Sequence, residues 1–384
     1  MRLSSSVDNI EISGIRKFYN KVAKIDGAIS LTLGEPDFKI PVEIKEAIKR
    51  SIDEDKTTYT PNAGIEELRE EISKYLKSLN INFSKEEICV TVGGSEGLLS
   101  TFTGILNYRD KVLIPTIAYP AYENCVKILG GEVINYNLKE DLSIDMEELK
   151  RVVEQECPKV MVVSHPSNPT GRLMTKEQCD ELFNILRDKD ILIISDEIYS
   201  SIVFDEYNSI SQYKELKNKL VLIGGFSKMF SMTGMRIGYV CAPEWILKNI
   251  IKVHQYNVSC APSIGQYGAL EGLKKSMHHI DYIKANLKLR RDYVYGRLIS
   301  MGFEVVRPEG AFYIFPSIRK LGFNSEEFCE KLLKDTKVAV VPGTAFGEGG
   351  EGYVRISYCY SMEDLKLALD LMEEWLNKLK LNSK

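Results

Sequence analysis

Two short stretches of this chain combine side chains that could act together on a bound aldehyde. The first is Ser227-Lys228-Met229-Phe230-Ser231-Met232-Thr233-Gly234-Met235-Arg236, which follows the apolar run Leu220–Ile223. Lys228 therefore sits just past the carboxyl end of a strand, where open α/β sheets bind their ligands. An amine at that place can form a Schiff base with an aldehyde cofactor. Arg236, eight residues on, can pair with a phosphate through its fork of donors. A surface lysine and a structural arginine would give the same letters. In the second stretch, Ile191–Tyr199, an apolar run ends in Asp196 with Tyr199 three residues later. A carboxylate against a pyridine nitrogen is what pyridoxal 5′-phosphate (PLP) chemistry needs, because it keeps the ring protonated and electron-withdrawing. A phenol suits the ring's 3-oxygen. An aspartate after a strand also serves as a helix cap.

Two turns add to these. Ser164-His165-Pro166-Ser167-Asn168-Pro169-Thr170-Gly171 follows the run Val160–Ser164. Its prolines and glycine make a rigid turn able to hold Asn168 towards a cofactor, and His165 reads as structural. Val92-Gly93-Gly94-Ser95-Glu96-Gly97 joins a strand to a helix. It matches neither GxGxxG nor a P-loop, but a helix N-terminus offers N–H groups to phosphate. The glycine-rich Gly347–Gly352 run has no Lys-Ser/Thr after it and reads as a surface turn.

These segments need a frame. Predicted strands are Ile88–Val92, Lys111–Ile114, Glu132–Tyr136, Val160–Ser164, Ile191–Ser195, Leu220–Ile223 and Ile237–Cys241, with helical patterns such as Glu66–Leu79 and Lys176–Leu186 between them. Continuous apolar strands separated by helices imply a mostly parallel sheet covered on both faces, an α/β fold. Residues 41–280 read as this large domain. A long helix, Ile280–Ser300, leads to predicted strands Phe303–Val306, Ala311–Phe315, Val338–Val341 and Val354–Ser357, with helices near Ser325–Leu333 and Met362–Lys378. Residues 281–384, with 1–40 packed against them, read as a smaller α+β domain.

Composition narrows the function classes. Length 384 allows two domains with a sizeable core, and 44% hydrophobic with 27% charged residues is ordinary for a globular protein. Fifty basic against 54 acidic residues, a net charge of −4, offer no basic field for nucleic acid or anionic lipid. No run approaches the ~20 apolar residues of a membrane span, and Met1–Asp8 lacks a signal-peptide core. The eight cysteines (Cys89, Cys125, Cys157, Cys179, Cys241, Cys260, Cys329, Cys359) form no CxxC pair and read as reduced thiols. A cytoplasmic enzyme is the expectation, without membrane or nucleic-acid partners.

Taken together, the order and spacing of these segments resemble the class I/II aminotransferases of PLP fold type I. The resemblance runs from Leu33-Gly34-Glu35-Pro36-Asp37-Phe38 to Val354-Arg355-Ile356-Ser357. Glu11–Phe18, Tyr59–Gly64, Lys252–Cys260 and Gly310–Pro316 are similar to the N-acetyl-L,L-diaminopimelate aminotransferase type within it. The resemblance implies that Lys228 holds PLP and shuttles the proton between substrate Cα and cofactor C4′. Asp196 would face the pyridine nitrogen, with Tyr199 and Asn168 on the 3-oxygen and Tyr119 stacked on the ring. Gly94 and Ser95 would give phosphate their N–H groups, and Ser227 and Arg236 their side chains. Arg355, beside Asn168 and Gly34, would grip the substrate α-carboxylate. Tyr59 matches a residue reaching the neighbouring subunit's cofactor, which implies a homodimer with shared sites. The implied reaction moves an amino group from an L-amino acid (N-acetyl-diaminopimelate, aspartate or aromatic) to 2-oxoglutarate; a PLP-dependent β-C–S lyase is the alternative.

The chain departs from that pattern in places. Gly225 replaces a frequent serine and Met235 a frequent tryptophan. Positions that carry a cation for a second substrate carboxylate in aspartate-specific relatives are Gln255 and Ser95 here. Lys39 and Arg16 are the substitutes nearest the entrance segment, and each also reads as a solvated surface charge.

Overall fold

The Val- and Ile-rich runs between residues 88 and 241 form one seven-stranded sheet. The computed structural model describes residues 4–8 and 10–382, so Met1–Leu3, part of the segment read above as lacking a signal core, lie outside the described residues. A two-residue strand, β1 (Ile29–Ser30), precedes the sheet. The sheet comprises β2 (Ile88–Thr91), β3 (Lys111–Pro115), β4 (Glu132–Tyr136), β5 (Val160–Ser164), β6 (Leu192–Asp196), β7 (Leu220–Gly225) and β8 (Gly238–Cys241). Their order is β2-β8-β7-β6-β5-β3-β4. β8 runs against both neighbours, and every other pairing is parallel.

Helices cover both faces, which is why the strands read as continuous rather than alternating apolar runs. Leu222, Ile193 and Met161 face one layer with Ile72, Leu182 and Phe226. Their neighbours Val221, Ile194 and Val162 face the other, with Phe102, Tyr122 and Ile246. The helix Lys176–Leu186 starts where its sequence says it should, at a capping box in which Thr175 and Gln178 satisfy each other's backbone N–H. From β3 the chain steps outward to β4, then returns past β3 to β5, β6 and β7. That reversal makes the carboxyl ends of β3 and β5 a topological switch point, where a crevice opens.

A second core gathers around the long helix Met277–Met301, the helix Ser325–Thr336 and the C-terminal helix Met362–Asn382. Four short strands belong to it: β9 (Tyr313–Ile314), β10 (Val338–Ala339), β11 (Val341–Pro342) and β12 (Val354–Ser357). Phe18 and Val22 of the helix Gly14–Val22, and Leu31 just after β1, pack into this core.

Three local readings differ. Phe303–Val306 is not a strand; only Glu304 bridges, to Ser317, before the chain meets Pro308, which has no N–H for a ladder. The Val338–Val341 run divides, because β10 pairs with β1 while β11 pairs with β12. The Gly347–Gly352 run is packed rather than free. Gly347 has φ +112°, and a Cβ there would lie 2.5 Å from the Thr116 carbonyl oxygen. All eight cysteines are free thiols, and no described helix is long and apolar enough to cross a membrane.

Candidate active site

The four segments meet at the carboxyl ends of the strands. β7 ends in Gly224-Gly225 and turns into the short helix Phe226–Met229, which carries Ser227, buried, and Lys228. A Cβ on Gly225 would lie 2.9 Å from Ile198 Cδ1 and 3.1 Å from Gly238 Cα, so a serine would crowd both neighbours. The Lys228 Nζ donates to the Gly34 carbonyl oxygen, and burial lowers its pKa from 10.5 to about 8. Gly34 is glycine for a steric reason: a Cβ would lie 1.8 Å from the Tyr313 hydroxyl.

Asp196 ends β6, buried. It accepts from the Tyr122 hydroxyl at 2.7 Å and the Ile198 N–H at 3.2 Å. A turn rather than a helix follows it, so it is no helix cap. Burial raises its pKa, and no cation among the described residues forms an ion pair with it. Tyr199 shares a 2.8 Å hydrogen bond with Tyr313, and burial pushes its phenol well up.

Across the cleft stands Arg355 on β12, 1% exposed. Its Nη1 donates to Asn168 Oδ1 at 2.8 Å and its Nη2 to the Thr32 carbonyl oxygen. The guanidinium carbon lies 4.3 Å from the Tyr313 ring centre and 4.7 Å from that of Phe346. Among the described residues its Nε has no hydrogen-bond partner and no carboxylate pairs with the guanidinium.

At the other end, β2 passes into the helix Gly93–Ile105, whose first turn holds Gly94 and Ser95. The N–H groups of such a first turn have no helical acceptor. Gly93 has φ +71°, and a Cβ there would meet Arg236 Nη2 at 2.6 Å. Arg236, itself left-handed at φ 55°, is held by the Thr233 carbonyl at 3.0 Å. Tyr119 is buried enough to raise its phenol pKa and packs edge-on against Tyr122, ring centres 5.7 Å apart.

Not every candidate joins this cluster. Tyr59 is 87% exposed and makes none of these contacts. Gln255, Lys39 and Arg16 are exposed, and Arg16 lies 6.0 Å from the Tyr19 ring centre. His165 is structural as read: burial lowers its pKa to about 4, and its Nδ1 stands 3.2 Å from the Arg172 carbonyl oxygen. Conversely, Tyr122, Tyr313, Phe346 and Thr32 belong to the site without having been assigned a role from sequence. The one available signal for Tyr122 was its place three residues after Tyr119 on a helix start, and Tyr313 lay in the Gly310–Pro316 segment.

The cluster thus brings together a buried carboxyl group, an amine of lowered pKa and a buried fork cation, with N–H groups and an arginine at its far end. That pattern fits a ring cation, an aldehyde, a substrate carboxylate and a phosphate.

The family model described as aminotransferase class I and II matches residues 26–371. The chain belongs to that family. It is 43% identical to a probable N-acetyl-LL-diaminopimelate aminotransferase of Bacillus subtilis, over 98% of this chain and 96% of that one. It is 38% identical to an aspartate aminotransferase of Pyrococcus abyssi, covering 99% and 100% of the two chains. The crystal structure of an aromatic aminotransferase from Pyrococcus horikoshii superposes with a TM-score of 0.90 at 38% identity, over 95% of this chain and all of that one. This protein is therefore an aminotransferase of fold type I, a family whose members use PLP, and the lyase alternative is not favoured.

Proposed function

We propose that this aminotransferase binds PLP on Lys228 and moves the amino group of an L-amino acid to 2-oxoglutarate. The observation that carries the reading is Asp196, a buried carboxylate with no ion-pair partner among the described residues. A buried charge without a counterion is costly, and a protonated pyridine nitrogen supplies the missing cation. The glycines at 34 and 93 let Tyr313 and Arg236 approach the backbone, since a Cβ would lie 1.8 Å from the Tyr313 hydroxyl and 2.6 Å from Arg236 Nη2.

Bound PLP supplies the electron sink that acidifies the substrate Cα–H. The protein's own groups do the rest. Asp196, oriented by Tyr122, would hold the proton on the pyridine nitrogen, and Tyr199 and Asn168 would bond the 3-oxygen. Tyr119 covers the ring. Gly94, Ser95, Ser227 and Arg236 hold the phosphate, while Arg355, with Asn168 and the Gly34 backbone, grips the α-carboxylate. Lys228 carries the proton from Cα. Holding the substrate at both ends makes that transfer a positioned, effectively unimolecular step.

Tyr59, exposed on its own chain, is assigned to the cofactor phosphate of a second copy, in a cytoplasmic homodimer. Residues 41–280 form the PLP-binding body, and 1–40 with 281–384 the second. The names of the relatives support three donor classes: N-acetyl-diaminopimelate, aspartate and aromatic amino acids. PLP-loaded protein mixed with that panel should convert to the pyridoxamine form, then yield glutamate once 2-oxoglutarate is added. Pyruvate and ammonia instead, or no spectral change with any donor, would overturn the reaction.

The lowered pKa of Lys228 has a measurable consequence. Only the neutral amine attacks an aldehyde, so the rate of PLP capture by the apo-protein should rise with pH through a midpoint near 8. A midpoint above about 10, the ordinary lysine range, would sink the assignment. Between pH 8 and 10.5 the unfolded chain holds this proton and the folded one does not. The lysine's contribution to apo-protein stability accordingly rises with pH across that window.

A further inference from the structure

One turn into the helix Gly93–Ile105 sits an acid that none of these roles uses. Glu96 accepts the Val92 backbone N–H at 3.0 Å, and its carboxylate also accepts the Ser100 hydroxyl. Nδ1 of His254 stands 3.1 Å from each carboxylate oxygen. His254 belongs to the neighbouring helix Glu244–Val258, and its side chain is 0% exposed. Burial opposes ionisation of Glu96, but the hydrogen bonds from His254 and Ser100 outweigh it and hold its carboxyl below the ordinary range. A carboxylate only accepts, so Nδ1 of His254 carries a hydrogen and donates it. The other ring nitrogen, Nε2, is buried without a hydrogen-bond partner among the described residues. A buried histidine with one nitrogen unsatisfied calls for an explanation, and its single bond to Glu96 is the one on offer.

We propose that Glu96 and His254 are positioning residues that hold the Gly93–Ser95 turn in the shape that binds the cofactor's phosphate. The proposal rests on the PLP reading above. The physical need is plain. Gly93 and Gly94 lack side chains, and glycine gives up more conformational freedom on ordering than any other residue. The turn also lies at the helix end, where N–H groups have no helical acceptor. On one side it is held by the β8 end: a Cβ on Gly238 would lie 2.6 Å from Gly93 C and 2.7 Å from Gly94 N. On the other, the Glu96 carboxylate ties Val92, before the turn, to Ser100, a turn further on, and to a separate helix. By taking the Val92 N–H and completing its remaining contacts with Ser100 and His254, it leaves the N–H groups of Gly94 and Ser95 for an anion. A negative charge in a helix's first turn is favourable to the helix, and here its acceptors are used up by protein donors.

The pair can be tested on binding alone, with the full-length apo-protein. His254→Leu removes the donor, and His254→Asn restores one where Nδ1 stands. PLP, pyridoxal and inorganic phosphate are titrated against wild type and both variants, with absorbance for the aldehydes and calorimetry for phosphate. His254→Leu should weaken PLP and phosphate about tenfold, the scale of one lost charge-assisted hydrogen bond. Pyridoxal, which lacks the phosphate, should change by less than about twofold, and His254→Asn should recover most of the PLP loss. Equal weakening of PLP and pyridoxal would overturn the proposal, since the pair would then support the fold alone. If His254→Leu does not fold, Ser100→Ala gives the same comparison with an effect of about threefold, and no selective loss there would overturn it. Wild-type protein that took up no PLP would remove the PLP reading itself and this proposal with it.

Discussion

Replacing Lys228 with alanine should abolish transamination while leaving PLP bound. The side chain is proposed both to attach the cofactor and to move the substrate Cα proton, and general acid–base transfer alone is worth about 10²–10⁴-fold. With the attachment lost as well, turnover should fall by at least about 10⁴-fold. Binding should survive, because Asp196, Asn168, Tyr199, Arg236 and the first-turn N–H groups of Gly94 and Ser95 stand on separate elements that the substitution does not touch. The measurement is turnover by coupled assay, beside the absorbance of PLP retained after gel filtration. Lys228→Arg should not rescue turnover, since a guanidinium stays protonated and cannot act as base. Near-normal turnover in Lys228→Ala would end the assignment of Lys228.

Arg355→Ala should act on the other end of the substrate. A charge-assisted hydrogen bond is worth about 1.5–3 kcal/mol, so losing the fork should raise KM for the amino donor about 10- to 150-fold. The PLP dissociation constant should move far less than KM, because among the proposed phosphate and ring contacts only Asn168 is hydrogen-bonded to Arg355. The substitution also strips donors from Asn168 Oδ1 and the Thr32 carbonyl. A lower Tm is expected for that reason, as each buried polar group left unpaired costs about 1–3 kcal/mol. Arg355→Lys keeps a charge but not the fork, and should recover only part of the KM. Equal loss of donor and cofactor binding would mean that the arginine is structural.

Much of the frame was legible because its code is local. β4 and β5 and the helix Lys176–Leu186 run between the residues that the sequence predicts, and β3 and β7 differ only at one end. Buried parallel strands are apolar throughout, and helix starts carry their own caps. The second core was less legible. Its strands are two to four residues long, and their pairing depends on partners distant in the chain, as when β10 takes β1 and β11 takes β12. A run such as Phe303–Val306 has strand propensity, but its pairing stops at the single Glu304–Ser317 bridge. Propensity of this kind records a fit to a pleated surface, and tertiary context supplies the surface.

The same division holds within the site. Sequence alone determined that Lys228, Asp196 and Asn168 lie at or just past strand ends, because a strand, its break and the residue beyond are contiguous. Their convergence with Arg355 it could reach only through resemblance. What the tertiary structure decided is who faces whom. Tyr122 reaches Asp196 across 74 residues of chain, Tyr313 reaches Tyr199 across 114, and Arg355 reaches Asn168 across 187. It also decided that Gly34 and Gly225 are glycines for want of space, and that His254 closes on Glu96. Contacts of that range leave no periodic trace along the chain: they exist only once distant elements have packed, and the packing sets their distances.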